Sequence, residues 1–279
     1  MQAVSVGPLL FPVGVIAILS GWLAASAVAA FLRKRGQADA APMLWWLLLL
    51  ALVVARVVFV TRWWSAYQQS PWWTIFDIRD RGFNVAAGCV ALVMATLVTM
   101  RRRPDLKRSL PAAVAGGFAA AALTVLVASQ LQATSHPPLS AATLHRLDGS
   151  STTLAALVGK PMVINLWATG CPPCRAEMPM LVQASHAMPG VRFVFVDQGE
   201  SREAVQAFLE RERLSPQYTL LDADNVLSRD YRALGYPTTL FVDADGRLRD
   251  TQVGQLSRAT LESHLLHITS DSTQGTPAP

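Results

Sequence analysis

The sequence predicts two dissimilar halves: an N-terminal all-α transmembrane bundle of four spans, followed by an α/β domain with a central mixed sheet. Three observations carry that prediction. Four apolar runs of near-membrane length fill residues 1–131, and basic residues cluster in the loops between them. After residue 140, short apolar strands alternate with helical stretches, and the first of those helices opens on a Cys-x-x-Cys pair. A chain of 279 residues is long enough for two domains. Its 52% hydrophobic content is high for a soluble protein, and the excess is uneven. Residues 1–140 carry 12 Lys and Arg against 4 Asp and Glu, whereas residues 141–279 carry 12 against 15. The basic balance therefore belongs to the first half, where it punctuates apolar runs. Nucleic-acid binding needs a basic stripe on a folded surface, so this pattern is topogenic charge and excludes it.

The apolar runs extend over about Leu9–Leu32, Met43–Val60, Phe83–Met100 and Ala112–Leu131. Each is near the roughly 20 residues that cross a bilayer as a helix. The first run is not read as a cleaved signal, because no basic residue precedes it and Arg33-Lys34-Arg35 follows it. The loops after the first and third spans carry Arg33–Arg35 and Arg101–Arg103 with Lys107 and Arg108. The middle loop offsets Arg62, Arg79 and Arg81 with Asp77 and Asp80. The positive-inside rule then puts both termini outside the cytoplasm, with lipid as a partner. Trp63, Trp64, Trp72 and Trp73 form an interfacial aromatic belt in the outer loop. Within the spans, Cys89 reads as a small packing residue and Arg56 as a cation snorkelling from the outer end of the second. The domain after residue 140 is expected in a compartment where dithiols can be oxidised, the bacterial periplasm.

Residues 132–140 (QATSHPPLS) read as a linker, residues 141–268 as the domain and residues 269–279 as a disordered tail. In the domain, Met162–Trp167 is a buried-strand candidate, and a helix follows from Cys171 to about Met188 across Pro179. Val191–Val196 is a strand, Arg202–Arg213 an amphipathic helix, Tyr218–Leu221 a strand, and Val226–Leu234 a helix ended by Gly235. Thr239–Val242 and Leu248–Val253 flank the turn DADG as a hairpin, and Thr260–Ile268 closes as a helix. Strand, Cys-x-x-Cys helix, strand, helix, hairpin and helix make a thioredoxin-like pattern.

The stretches VINLWATGCPPCRAEMPML, VDQGESREAVQAFL and GYPTTLFVDADGRL resemble the TlpA/ResA-like branch of the thioredoxin superfamily. The resemblance covers residues 141–268 and implies a membrane-tethered extracytoplasmic thiol-disulfide oxidoreductase, mostly a reductase. The opening GPLLFPVGV and the segment FDIRDRGFNVAAG are similar to prolipoprotein diacylglyceryl transferase. Residues 1–135 contain no histidine, however, and that family's catalytic motifs are not found, so no lipid transfer is expected.

The chemistry centres on WATGCPPC, Trp167 to Cys174. At a helix N-terminus, free N–H groups and the dipole favour a thiolate, so Cys171 is the expected nucleophile and Cys174 the resolving thiol. Pro172 and Pro173 lock φ and remove competing donors. The resemblance implies a cis Pro237, which leaves the Tyr236 backbone to pair with a substrate strand. It also implies a proton-transfer role for Glu177, one helical turn after Cys174; spacing alone favours a solvated carboxylate. Asn165 stands where ordinary thioredoxins place a buried aspartate, and a neutral amide cannot be a base. Trp167 is expected beside the disulfide, or simply in the core.

A structural zinc site needs more ligands than this pair, and His186 and Cys89 are poorly placed to supply them. A purely structural disulfide would close too small a loop to stabilise much. The pair therefore reads as a redox-active disulfide with no further cofactor and no metal. The expected activity is reduction of extracytoplasmic protein disulfides, of the cytochrome c maturation or metal-site assembly type. Electrons would come from a membrane thiol donor of the DsbD/CcdA type. The alternatives are a metal- or client-binding module without turnover, or a disulfide oxidase. Gly170 stands where relatives usually carry tryptophan, which leaves Cys171 more open and the turn more flexible.

Overall fold

The computed structural model describes residues 3–6, 9–68, 71–133, 139–233 and 235–269. They form two compact units, one of helices and one built on a sheet. The expected tail after Thr269 and the core of the expected linker, residues 134–138, lie outside the described residues.

The helical unit starts with a short antiparallel hairpin, β1 (Ala3–Val6) and β2 (Leu9–Pro12). Helix α1 (Val13–Lys34) follows directly. The first span was expected from Leu9, but its opening residues pair as a strand and the helix begins after Pro12. A proline has no N–H to donate to a preceding turn, so it suits a helix entry. The remaining elements of this unit are α2 (Ala41–Arg62), α3 (Trp64–Gln68), a 3-10 turn (Trp72–Phe76), α4 (Val85–Arg102), a second 3-10 turn (Pro104–Leu106) and α5 (Ser109–Ala133). Four of these helices, α1, α2, α4 and α5, are long and apolar enough to cross a membrane.

Small residues set how those helices pack. Ala17, Gly21, Ala25 and Ala29 recur every fourth position of α1 and are buried, while Leu19, Leu23 and Phe31 face outward. A Cβ on Gly21 would sit 3.0 Å from the Gly117 carbonyl oxygen of α5, and one on Gly117 would sit 2.8 Å from the Gly21 oxygen. The two backbones therefore touch, and Ser20 Oγ bonds Thr124 Oγ1 at 2.8 Å beside them. Gly88 of α4 meets α2 in the same way, 3.2 Å from the Ala51 oxygen. Where the solvent is itself apolar, this close packing replaces the hydrophobic drive. Arg56 departs from the snorkelling expectation. Its guanidinium donates to the carbonyls of Ile75 (3.0 and 2.9 Å), Thr74 (3.2 Å) and Gly82 (2.8 Å). The cation satisfies a turn whose carbonyls lack helical partners, a stronger outlet than reaching for water.

The second unit carries a seven-stranded sheet in the order β4-β3-β7-β6-β5-β8-β9. Its elements are β3 (Leu144–Arg146), β4 (Ser151–Thr152), β5 (Met162–Trp167), α6 (Pro172–Ala187), β6 (Arg192–Gln198), α7 (Arg202–Arg211), β7 (Thr219–Asp222), α8 (Val226–Asp230), β8 (Thr238–Val242), β9 (Leu248–Val253) and α9 (Arg258–Thr269). Strands β5, β6 and β7 run parallel; β3, β4, β8 and β9 pair antiparallel, so the sheet is mixed. Each residue of β5 is buried, because alternate side chains enter two cores. Val163 and Trp167 join Phe193, Phe195 and residues of α6, α7 and α9 on one face, while Met162, Ile164 and Leu166 join Val194, Leu220 and Leu240 on the other. Helix α8 is shorter than expected, ending at Asp230 rather than Leu234. Arg232 takes a left-handed φ of 51°, and Ala233 N–H donates back to the Ser228 carbonyl at 2.7 Å, which closes the helix.

Candidate active site

Strand β5 ends at Trp167, and a four-residue turn delivers Cys171 as the N-cap of α6. The two sulfurs are bonded, Cys171 to Cys174. Pro172 and Pro173 occupy the first two helical positions and have no N–H to offer. The next donor, Cys174 N–H, points at Cys171 Sγ from 3.2 Å. The prolines thus leave the sulfur facing the first free amide of the helix, where negative charge is favoured. Cys171 is partly exposed and Cys174 is buried. Trp167 lies in the same cluster as Cys174, its ring 5.2 Å from Phe208.

Glu177 is not a solvated carboxylate. It is 1% exposed, one turn beyond Cys174 on α6. Its Oε1 accepts from Asn165 Nδ2 at 2.8 Å, and its Oε2 accepts from Leu256 N–H at 2.6 Å. Asn165 also donates to Thr239 Oγ1 at 3.0 Å, across the β5–β8 pairing that sets those two residues opposite each other. Burial outweighs both hydrogen bonds and pushes the Glu177 carboxyl up to about 7.

The Tyr236–Pro237 peptide, entering β8, is cis. Tyr236 packs against both cores, and its hydroxyl meets Ser228 Oγ at 2.9 Å. Ser228 Oγ donates onward to Gln198 Oε1 at 2.6 Å, so the end of β6 holds the loop that precedes β8.

Sequence reasoning assigned no role to the loop after β6, although VDQGES lies inside the resembling stretch. Glu200 accepts from Thr169 N–H at 2.6 Å and from Thr169 Oγ1 at 2.7 Å. Asp197, fully buried at the end of β6, accepts from Glu200 N–H at 3.0 Å. Its position was visible only as the parallel partner of Trp167, a pairing no local pattern reveals. Among the described residues no group of three His, Cys, Asp or Glu is arranged to hold a metal.

Comparison with known proteins fits this geometry. A family model described as Redoxin matches residues 130–265, and one described as prolipoprotein diacylglyceryl transferase matches residues 4–131. The thioredoxin-like protein YneN of Bacillus subtilis is 32% identical over 126 residues, 44% of this chain and 73% of that protein. The thiol-disulfide oxidoreductase ResA of Geobacillus kaustophilus is 31% identical over 121 residues, 43% of this chain and 69% of that protein. The thiol:disulfide interchange protein DsbE of Escherichia coli K12 is 33% identical over 107 residues, 38% of this chain but only 57% of that protein. With a redox-type Cys-x-x-Cys at a helix N-terminus, a mixed sheet and relatives of this kind, the chain belongs to the TlpA/ResA-like thiol-disulfide oxidoreductases.

Proposed function

We propose that the protein is a membrane-anchored reductase of extracytoplasmic protein disulfides. Residues 1–131 anchor it, residues 132–140 tether it, and residues 141–268 act in the periplasm with both chain termini outside the cytoplasm. The observation that carries the dithiol-exchange reading is Glu177, a buried carboxyl one turn from the buried Cys174 and poised near neutrality, while the reductase direction follows from the family resemblance. A resolving thiol must lose its proton before it attacks, and a base matched to ambient pH is the efficient acceptor.

The sequence of bonds follows. The Cys171 thiolate attacks one sulfur of a client disulfide, forming a mixed disulfide and releasing a client thiolate. Cys174 gives its proton to Glu177 and attacks Cys171 Sγ, which releases the second client thiolate and closes the Cys171–Cys174 disulfide. Two electrons have moved to the client. A dithiol donor in the membrane, of the DsbD/CcdA type, would restore the pair by the same exchange. The backbone at Tyr236, ahead of the cis Pro237, offers an edge for the client strand. Trp167, Pro172, Pro173 and Asn165 support these groups. Relatives named for thiol:disulfide interchange support a cysteine-bearing protein as the client, and the family resemblance implies apocytochrome c or a metal-site protein.

Equilibrating the purified chain with glutathione redox buffers tests the direction. A strongly negative potential is expected, and a value in the range of DsbA-type oxidants sinks the reductase reading. Cys174→Ala should accumulate mixed disulfides with client proteins through Cys171. A variant that traps none removes the mechanism.

A further inference from the structure

The turn that brings Cys171 to α6 carries a restraint that the dithiol chemistry above does not use. Both carboxylate oxygens of Glu200 grip Thr169, one at its backbone N–H (2.6 Å) and one at its hydroxyl (2.7 Å). Thr169 lies two positions before the nucleophile, and the grip reaches it from the far side of β6 in sequence. Glu200 is itself anchored: its N–H donates to Asp197 Oδ1 at 3.0 Å, and Gly199 before it takes a φ of 82° that only glycine adopts readily. Between Thr169 and Cys171 stands Gly170, and nothing lies within 4 Å of where its Cβ would be. That turn gains no restraint from side-chain packing at its centre. The turn's own closing bond, Cys171 N–H to the Ala168 carbonyl, is long at 3.2 Å, and a glycine costs more entropy to hold than any other residue, so a hold from outside the turn adds restraint where the turn itself is weakest.

The charge arrangement matches a clamp. Burial, then the neighbouring Glu200, holds the Asp197 carboxyl well above the usual acid range. Burial raises Glu200 too, but bonds to Asp197 and Thr169 outweigh it and hold Glu200 below its ordinary value. Of the two, Glu200 is the one favoured as the anion, the form that accepts both Thr169 bonds.

We propose that Glu200 is a positioning residue for Cys171: its clamp on Thr169 replaces the restraint that Gly170 cannot give, and so fixes Cys171 at the distance from which Cys174 closes the disulfide. The inference rests on thiol-disulfide exchange at this pair, the activity of the family, and not on the direction of electron flow.

The test measures the equilibrium constant for closing Cys171–Cys174 against glutathione, on the full chain in detergent, with Cys89→Ser as the parent. Glu200→Ala should lower that constant about tenfold, a potential ~30 mV less negative. Glu200→Gln should stay within about threefold of the parent, because its amide oxygen still accepts from Thr169 N–H and its NH2 can donate to the hydroxyl. Thr169→Ala, which deletes one bond only, should fall between, and Thr169→Ser should restore the parent value. If Glu200→Gln matches Glu200→Ala, charge rather than position is at work and the proposal fails. It fails equally if Glu200→Ala lowers the thermal midpoint but leaves the constant unchanged, since the residue is then merely structural. A parent potential in the oxidant range would defeat the reductase reading while leaving this series fully readable.

Discussion

Two glutamates flank the dithiol, and the fold treats them in opposite ways. Glu177 lies inside, between α6 and the β5–β8 pair, with one amide donor on each oxygen. Glu200 lies at the rim of β6, partly buried, with two donors from a single threonine and a second carboxyl behind it. Burial wins at the first and raises it to about 7; hydrogen bonding wins at the second and keeps it ionised. The difference teaches that two donors do not keep a carboxylate charged once water is fully excluded, whereas two donors do so at a rim that water still reaches.

The largest effect expected from breaking this contrast is in stability. The folded state keeps Glu177 protonated up to about pH 7, against an ordinary value of 4.5. Below about pH 4.5 both states are protonated and nothing is lost. Between there and pH 7 the unfolded chain ionises first, so stability falls; above pH 7 both are ionised and the loss is complete. At ~1.4 kcal/mol per unit, that shift amounts to roughly 3 kcal/mol. Glu177→Gln should flatten this part of the slope in urea midpoints measured from pH 4 to pH 8. An unchanged slope would mean that Glu177 is solvated after all. The same variant should slow closure of the mixed disulfide, because the amide accepts no proton.

A smaller effect is expected from the residue that joins Glu177 to the sheet. Asn165→Asp would put a second carboxyl 2.8 Å from Glu177, and two such groups cannot both ionise. The pair should share a proton, titrate in two steps with the upper one above 7, and cost about 1–3 kcal/mol at neutral pH. The pH dependence of disulfide closure reports both steps. A single step at the parent position would show that the two side chains part company when both are acidic.

Much of this arrangement was legible in the sequence, and the part that was not has a common cause. Apolar runs gave the four helices, and the continuous run MVINLW gave the central strand, because burial on both faces needs no partner to be recognised. Strands β3 and β4, three and two residues long, exist only through pairing with β7 and with each other, so no period could announce them. Cys171, Cys174 and the prolines follow from helix-terminus chemistry within one turn. Glu177 depended on resemblance, since its burial comes from the Leu256 amide some 79 residues away. Glu200 escaped notice and Arg56 was read as snorkelling for the same reason: each is defined by carbonyls, amides or hydroxyls contributed by another element. Local pattern reveals what a residue can do; only the fold reveals what it faces.

The smallest stability effect, and the sharpest comparison, concerns Gly170. With nothing within 4 Å of its Cβ position and no left-handed φ, a side chain fits there without strain. Gly170→Trp should therefore change the unfolding free energy by less than about 0.5 kcal/mol, as exposed substitutions usually do. Its effect on chemistry should be larger. An indole beside Cys171 covers part of the sulfur, so reduced protein should react more slowly with a bulky disulfide than with a small one, relative to the parent. A side chain also narrows the backbone freedom of the turn. If Glu200 supplies the restraint that glycine lacks, the loss caused by Glu200→Ala should shrink once tryptophan is present at this position. Measuring the closure constant in both single variants and the double variant gives that coupling directly. Strict additivity would mean that the clamp and the glycine are independent features of the turn, and a coupling of the expected sign would tie the open nucleophile to the carboxylate that holds it in place.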